Sequence, residues 1–513
     1  MRRRYLAMLP LAALALLVVP GTAFGDATDL NRAIGGKLEP SVGINTLWVV
    51  LAGSLVMFMQ AGFAFLEIGF SRAKNAGTVV AKILTNFGIA AVCWWAVGFA
   101  FAFGGPLGSF IGHDGGFFFS DLGAYSTTSA GVTLFHPSFP VMALSDATIE
   151  SKWFFQFVFC AVSLAIVWGT TLERIKFGAY VVYAIVFGAV IYPLIAHAVW
   201  GGGLLSDIGG KPVMDFAGSS VVHLTGAVGA LAALLLLGPR IGKYDAAGKP
   251  RAIPGHSMPL VGLGVIILWI GWFGFNGGST FETGASFFGE VMLNTQLAAA
   301  AGVIGASIAV YLKSKALDVG MAGNGAIAGL VGITAPSGFV EYWAAPIIGI
   351  IAGFLVVYAV LAIDRFVDDP VGALSAHGLA GIWGTLAVGI FASPRLIVEG
   401  AGPGIWYGIF GDASLSSAFG QLGVQGLAVA FTFVVVFAIS IVTFFAIKRT
   451  IGLRVPAEEE DAGLDISSHG MYGYPEAFIP QPEYSTGLPG PVGVPVAAPV
   501  PAAATHMTAT ETP

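Results

Sequence analysis

The chain has 513 residues, 56% of them hydrophobic and only 10% charged, with a formal net charge of −6. Soluble globular proteins carry about 25% charged residues, so this composition excludes a water-soluble enzyme, a nucleic-acid binder and a disordered scaffold. What remains is a polytopic membrane protein. The 72 glycines are about twice the usual share, which suits closely packed membrane helices, where small residues let backbones approach. The two cysteines, Cys93 and Cys160, both fall in apolar stretches, so neither a disulfide framework nor a thiolate metal site is expected.

Residues 1–25 read as a secretory signal peptide. Arg2, Arg3 and Arg4 form the positive region, Tyr5 to Val19 the apolar region, and Ala23, Phe24 and Gly25 a small-residue cleavage site. Cleavage is favoured over an uncleaved first helix because the apolar run is short and Pro20 and Gly21 follow it. A transmembrane domain is expected over 40–450, with eleven apolar segments near 44–66, 83–104, 153–172, 178–200, 217–238, 257–276, 290–312, 321–336, 342–363, 373–392 and 423–447. The loop at 105–152 is long and carries no motif. Arg72, Lys74, Arg174, Lys176, Arg240 to Arg251, Lys313, Lys315, Arg365, Lys448, Arg449 and Arg454 fall in alternate connections, whereas the opposite ones hold Lys152, Lys211 and Arg395. Positive residues stay in the cytoplasm. The expected fold is therefore all-α and multi-pass, eleven transmembrane helices with the N-terminus outside and the C-terminus inside. Five plus five helices of opposite orientation, followed by an eleventh, would form inverted repeats. Residues 451–474 are polar and acidic, and 475–513 are rich in Pro, Ala and Thr, a composition that cannot bury enough apolar surface to fold.

Ionisable groups inside spans are costly and usually functional. Glu67 and Asp364 lie at span ends, where a cap or a snorkelling contact explains them. His197 lies near an outer end and reads as a satisfied interfacial histidine. Asp215 opens the fifth span, where its carboxylate can cap free amides and favour the positive end of the helix dipole. His223 and His377 are different. They fall in the fifth and tenth spans, each followed by small-residue spacing (Gly226 and Gly229; Gly381 and Gly384). In inverted halves two such residues meet at the repeat interface, where substrates bind. Two imidazoles can share one proton and pass a small, proton-carrying solute through a dry pore. A metal site is the competing reading, but no third ligand accompanies the pair, and no cofactor is expected.

Together these segments resemble the Amt/Mep/Rh ammonium-transporter family over nearly all of 44–474. The leading match is Asp215-Phe-Ala-Gly-Ser-Ser-Val-Val-His223, similar to the family's DFAGG-x-VVH signature. Around it stand MQAGFAFLEIGFSRAKN (59–75), ERIKF (173–177), HAVWGGGLL (197–205), GWFGFNGGS (271–279), GAIAGLVGITAPSG (325–338) and DDPVGALSAHGLAG (368–381). Trp200 and Ser279 point to the Amt branch, because the Rh branch generally lacks this outer site.

The resemblance implies roles. Trp200, Ser279 and Phe159 match the outer ammonium site, with Asp215 beneath it. Phe159 and Phe275 match the stacked pair that closes the pore, and His223 and His377 match the twin-histidine pair. Ammonium would lose a proton near the phenylalanine gate and ammonia would pass the histidines. In the tail, Gly452, Arg454, Gly463, Asp465 and His469 stand at family positions of a segment that packs across a neighbouring subunit and couples transport to regulation. The resemblance further implies a homotrimer in the cell membrane, methylammonium as a substrate analogue, and a PII-type signal protein as a candidate regulator on the cytoplasmic face. An ammonium sensor and an Rh-like neutral gas channel are the other readings. An enzyme is not expected, because no nucleophile–base set or phosphate loop is present.

Overall fold

The computed structural model describes residues 40–113, 115–119, 126–127, 134–135 and 139–475. The segment read as a signal peptide and, except for Pro475, the Pro/Ala-rich tail lie outside the described residues. The regular elements among them are helices, apart from a two-residue antiparallel pairing of Ser126–Thr127 with Leu134–Phe135 in the long loop.

Among the described residues, ten helices are long and apolar enough to cross a bilayer. They are α1 (Ser41–Phe70), α2 (Ala73–Phe103), α3 (Ile149–Thr170), α4 (Phe177–Val199), α5 (Ser219–Leu237), α6 (Met258–Gly278), α7 (Gly284–Ser314), α9 (Ala344–Ile363), α10 (Leu374–Phe391) and α11 (Leu415–Thr450). The eighth expected segment is α8, Val319–Thr334. Its 16 residues give a length of about 24 Å, short of the ~30 Å hydrocarbon core. Protein surrounds it. All residues from Asn324 to Thr334 are buried, and the orphan carbonyls of Thr334 and Ala335 accept from the amides of Ala217 (3.2 Å) and Phe216 (3.0 Å).

Local chemistry sets the helix ends. Ser257, Asp318 and Ser414 each accept an amide from the first turn of α6, α8 and α11, and α5 stops at Gly238 with φ +80°. In α4, Pro193 has no N–H to give Ala189, and the helix widens into a π-turn at Phe187–Ile191 just before it. α1 and α6 cross where side chains are missing: a Cβ on Gly264 would lie 2.5 Å from the Leu66 nitrogen. α7 and α9 meet in the same way, a Cβ on Gly353 falling 2.2 Å from the Gly302 oxygen. The outer surface is apolar, as on α11, where Val434 and Val442 are exposed.

The connections sort to two ends. At one end Glu173 pairs with Arg72 and Arg240, Asp368 with Arg174 and Arg240, and Asp364 with Lys243. At the other end Asp146 accepts from Ser41 and Asn45, and Arg395 pairs with Glu290 and Glu341. The C-terminal segment returns to the first end, so that end is called the tail side. Leu453 O accepts from Lys176 N (3.0 Å), Val455 N donates to Arg174 O (3.1 Å), and α12 (Ala457–Ala462) follows. This helical body runs to Gly473.

Candidate functional site

Two short acidic turns build the centre. Asp215 precedes α5, and its carboxylate accepts four backbone amides: Gly218 (2.8 Å) and Ser219 (2.9 Å) on one oxygen, Ser220 (2.9 Å) and Val221 (3.1 Å) on the other. Gly218 turns the chain with φ +116°. The first turn of α5 is π-helical, Ser219–Leu224, and carries His223. Asp369 repeats the pattern before α10, accepting from Val371 (3.2 Å), Gly372 (3.0 Å) and Leu374 (2.8 Å). Gly372 has φ +75°, and the π-turn Leu374–Leu379 carries His377. Aspartate, then glycine three residues on, then histidine five further is therefore common to both halves. The expected pair of histidines has this sequence cause, and Asp369 was the member missed. The identical spacing in DFAGSSVVH and DPVGALSAH was the signal for it.

The two imidazoles meet, His377 Nδ1 lying 3.3 Å from His223 Nδ1 with the rings stacked at 19°. His223 is fully buried, and its Nε2 has no hydrogen-bond partner. On one side His223 lies 5.4 Å from the Phe275 ring and 5.0 Å from Trp272. Phe275 stacks on Phe159 with centroids 3.9 Å apart and planes at 18°. Phe159 in turn meets Trp200 edge-on at 6.2 Å. These side chains form one column from Trp200 to His377. Both rings of the phenylalanine pair are buried and in direct contact.

At the open end of the column, Trp200 gives its indole N–H to Asp215 O (2.7 Å), which holds the ring. Ser279 lies one turn beyond Phe275 and donates to the Phe275 carbonyl (2.8 Å). With its proton committed there, the serine oxygen presents lone pairs, so it can serve as an acceptor. Asp215 itself is engaged by four amides, so its direct role is to cap, and its negative charge acts at a distance.

Other expectations are redistributed. His197 is satisfied on both nitrogens, by Ala102 O at 3.0 Å and Ser109 Oγ at 2.9 Å. Asp364 takes Lys243 at 2.5 Å. Glu67 neither caps nor snorkels. It is 1% exposed, its Oε2 has no partner, and it lines a cavity beyond His377. Lys82, also without a partner for Nζ, lies inside α2 because that helix starts ten residues earlier than the apolar pattern indicates. The tail residues gather on their own chain's tail-side loops. Asp465 accepts from Gly77 N, Thr78 N, Thr78 Oγ1 and Gly473 N, and Arg454 pairs with Glu460. Gly463 turns at φ +102° against Lys74, Gly452 turns at φ +80°, and the His469 ring packs edge-on against Phe177. Among the described residues, no group of three or more His, Cys, Asp or Glu side chains could hold a metal.

Comparison with known proteins gives a consistent result. The model of the Ammonium Transporter Family matches residues 47–474. The chain is 41% identical over 486 residues to "Ammonium transporter Amt2" of Archaeoglobus fulgidus, covering 92% of this chain and 96% of that one. It is 34% identical over 446 residues to "Ammonium transporter 3" of Dictyostelium discoideum, covering 84% and 94%. Among solved structures it resembles a "Sensor Amt Protein" with a TM-score of 0.74, 35% identity and coverage of 84% and 99%. It also resembles Candida albicans Mep2, with a TM-score of 0.71, 27% identity and coverage of 86% and 92%.

Proposed function

The chain belongs to the ammonium transporter family, and from that membership we propose that it carries ammonium by capturing the cation at one end of the column and passing ammonia along the rest. Trp200, Ser279 and Phe159 form the capture site, with the charge of Asp215 beneath. An indole face attracts a desolvated cation by about 2 kcal/mol, and the Ser279 oxygen accepts an ammonium N–H. Ammonium then gives up a proton near Phe159 and Phe275, because an intact cation between two buried rings would lose its hydration at a cost of at least several kcal/mol. Neutral ammonia bears no such cost and moves past His223 and His377. The facing imidazole nitrogens offer the released proton a separate route, one donating while the other accepts. Potassium, which has no proton to shed, is excluded by chemistry rather than by size.

The observation that supports this reading most is the His223–His377 contact at 3.3 Å directly below the stacked phenylalanines. Arg72, Arg174, Arg240 and Arg454 all lie on the tail side, which by the positive-inside rule makes it cytoplasmic. On this reading α8 completes eleven spans, the halves are inverted repeats, and the protein is a homotrimer of the plasma membrane with one pore per subunit. The docked tail, 451–474, then offers a PII-type protein its platform.

The test is ammonium-evoked current in reconstituted protein, with methylammonium uptake in parallel. Saturating flux is expected. His223→Ala and His377→Ala should each cut it by about tenfold or more, or admit potassium, as loss of one transition-stage interaction of ~1.4 kcal/mol or greater requires. Unchanged rate and selectivity in both variants would refute the mechanism. The solved relative titled a sensor motivates a second reading: no flux of either kind, with ammonium still altering the tail, would favour it.

A further inference from the structure

Beyond His377 the column meets a small cavity of about 20 Å³, room for about one water-sized molecule, lined by Phe63, Glu67, Ile166, Gly169, Asn324 and His377 among others. Its walls are mainly apolar, and its polar side chains are Glu67, Asn324 and His377. Glu67 contributes a carboxylate whose Oε2 has no hydrogen-bond partner although the residue is 1% exposed. Asn324 gives one amide N–H to Val371 O at 3.3 Å, and its carbonyl oxygen can accept. A buried carboxylate without donors is costly. Lys82, whose Nζ is likewise unpartnered, makes no hydrogen bond to it. The cavity therefore presents a buried carboxylate oxygen short of a donor. An ammonium ion is donor-only, small and positive, and fits that shortage better than a hydroxyl or an anion does.

We propose that Glu67 and Asn324 form a second, tail-side site for ammonium or methylammonium, separate from the Trp200 end. This rests on the transport reading above. Ammonia arriving past His377 takes a proton from water of the tail-side compartment, leaving hydroxide there, and the ammonium so formed is held by the Glu67 carboxylate until it leaves. For outward movement the same site is the point of entry. Gly169 matters because a Cβ there would stand 3.1 Å from Glu67 Oε1 and 3.2 Å from Val371 Cγ2, pushing the carboxylate out of position.

The experiment measures methylammonium flux in both directions in right-side-out and inverted membrane vesicles, using the full chain. Glu67→Gln should raise the half-saturating concentration on the tail side by about tenfold, the value of one charge-assisted hydrogen bond, with a much smaller shift on the opposite side. Gly169→Ala should move it in the same direction and decides the matter if Glu67→Gln fails to reach the membrane. Equal shifts on both sides, or no shift on the tail side, would overturn the site. Tail-side potassium inhibiting outward flux as well as ammonium does would overturn its assignment to a proton-donating cation. Absence of wild-type flux in either direction would instead refute the transport reading and remove this inference with it.

Discussion

Asp215 and Asp369 each engage a carboxylate with the amides that open a histidine-bearing helix, so the placing of the histidine pair depends on two residues outside it. Asp369→Ala should cost about 1–2 kcal/mol, the usual worth of a lost cap, seen as a lower unfolding temperature in detergent. It should also reduce uptake by letting His377 shift, while Asp369→Asn, which keeps an acceptor oxygen, should recover most of both. At this scale the sequence was readable wherever a side chain sits in a spaced motif. His223 and His377 could be named from their places in the spans, Trp200, Phe159 and Phe275 only through the family motifs they stand in, and the structure brings all five into one column. Glu67 was misread, since its position at a span end hid the cavity that faces it.

Among the helices, hydropathy located the spans but misplaced the ends where a polar residue is buried against another helix. α2 is the clearest case. Lys82 and Asn86 interrupt the apolar pattern, yet both are fully buried, Asn86 donating to Ala161 O at 3.2 Å and Tyr180 donating to Lys82 O at 2.5 Å. The π-turns in α5 and α10 had no hydropathy signal at all, because a one-residue widening leaves composition unchanged. Close glycine contacts were likewise visible only as an excess of glycine. Gly353→Leu should force α9 away from α7, costing about 1–3 kcal/mol or more from overpacking. Thermal unfolding measures this, and a Leu at Gly262, where a Cβ meets nothing within 4 Å, provides the control.

The whole molecule is tied together on the tail side by a charge network that no linear pattern announced. Arg174, read from sequence as a marker of orientation, is fully buried and donates to the carbonyls of Leu172, Gly238 and Asp368. Burial alone would raise the Asp368 carboxyl, but the Arg240 hydrogen bonds and the charges of Arg174 and Arg240 outweigh it and hold it at about 2. The folded value is below the ordinary carboxylate value of about 3.9, so this stabilisation is complete above pH ~4 and fades as pH falls toward ~2. Unfolding temperatures should therefore show no loss from this network between pH 7 and 5. Arg240→Met should lower the unfolding temperature at neutral pH and narrow its difference from wild type as the pH drops below 4. Separately, Asp465→Ala removes four hydrogen bonds holding the tail to α2 and Gly473. It should expose 456–473 to protease and impair uptake, whereas unchanged cleavage and uptake would show the docking to be dispensable.

The partners in that tail-side assembly come from residues 72, 173–174, 240, 368 and 460–465. Helices can enter the bilayer one by one as the ribosome delivers them, but this assembly cannot close until the segment after the last of them is made. Until then the amides of Gly77, Thr78 and Ile241 lack the carboxylates of Asp465 and Glu460. A chain that stops short of residue 460 thus leaves one face with backbone donors that the finished protein satisfies, and local opening there costs correspondingly less.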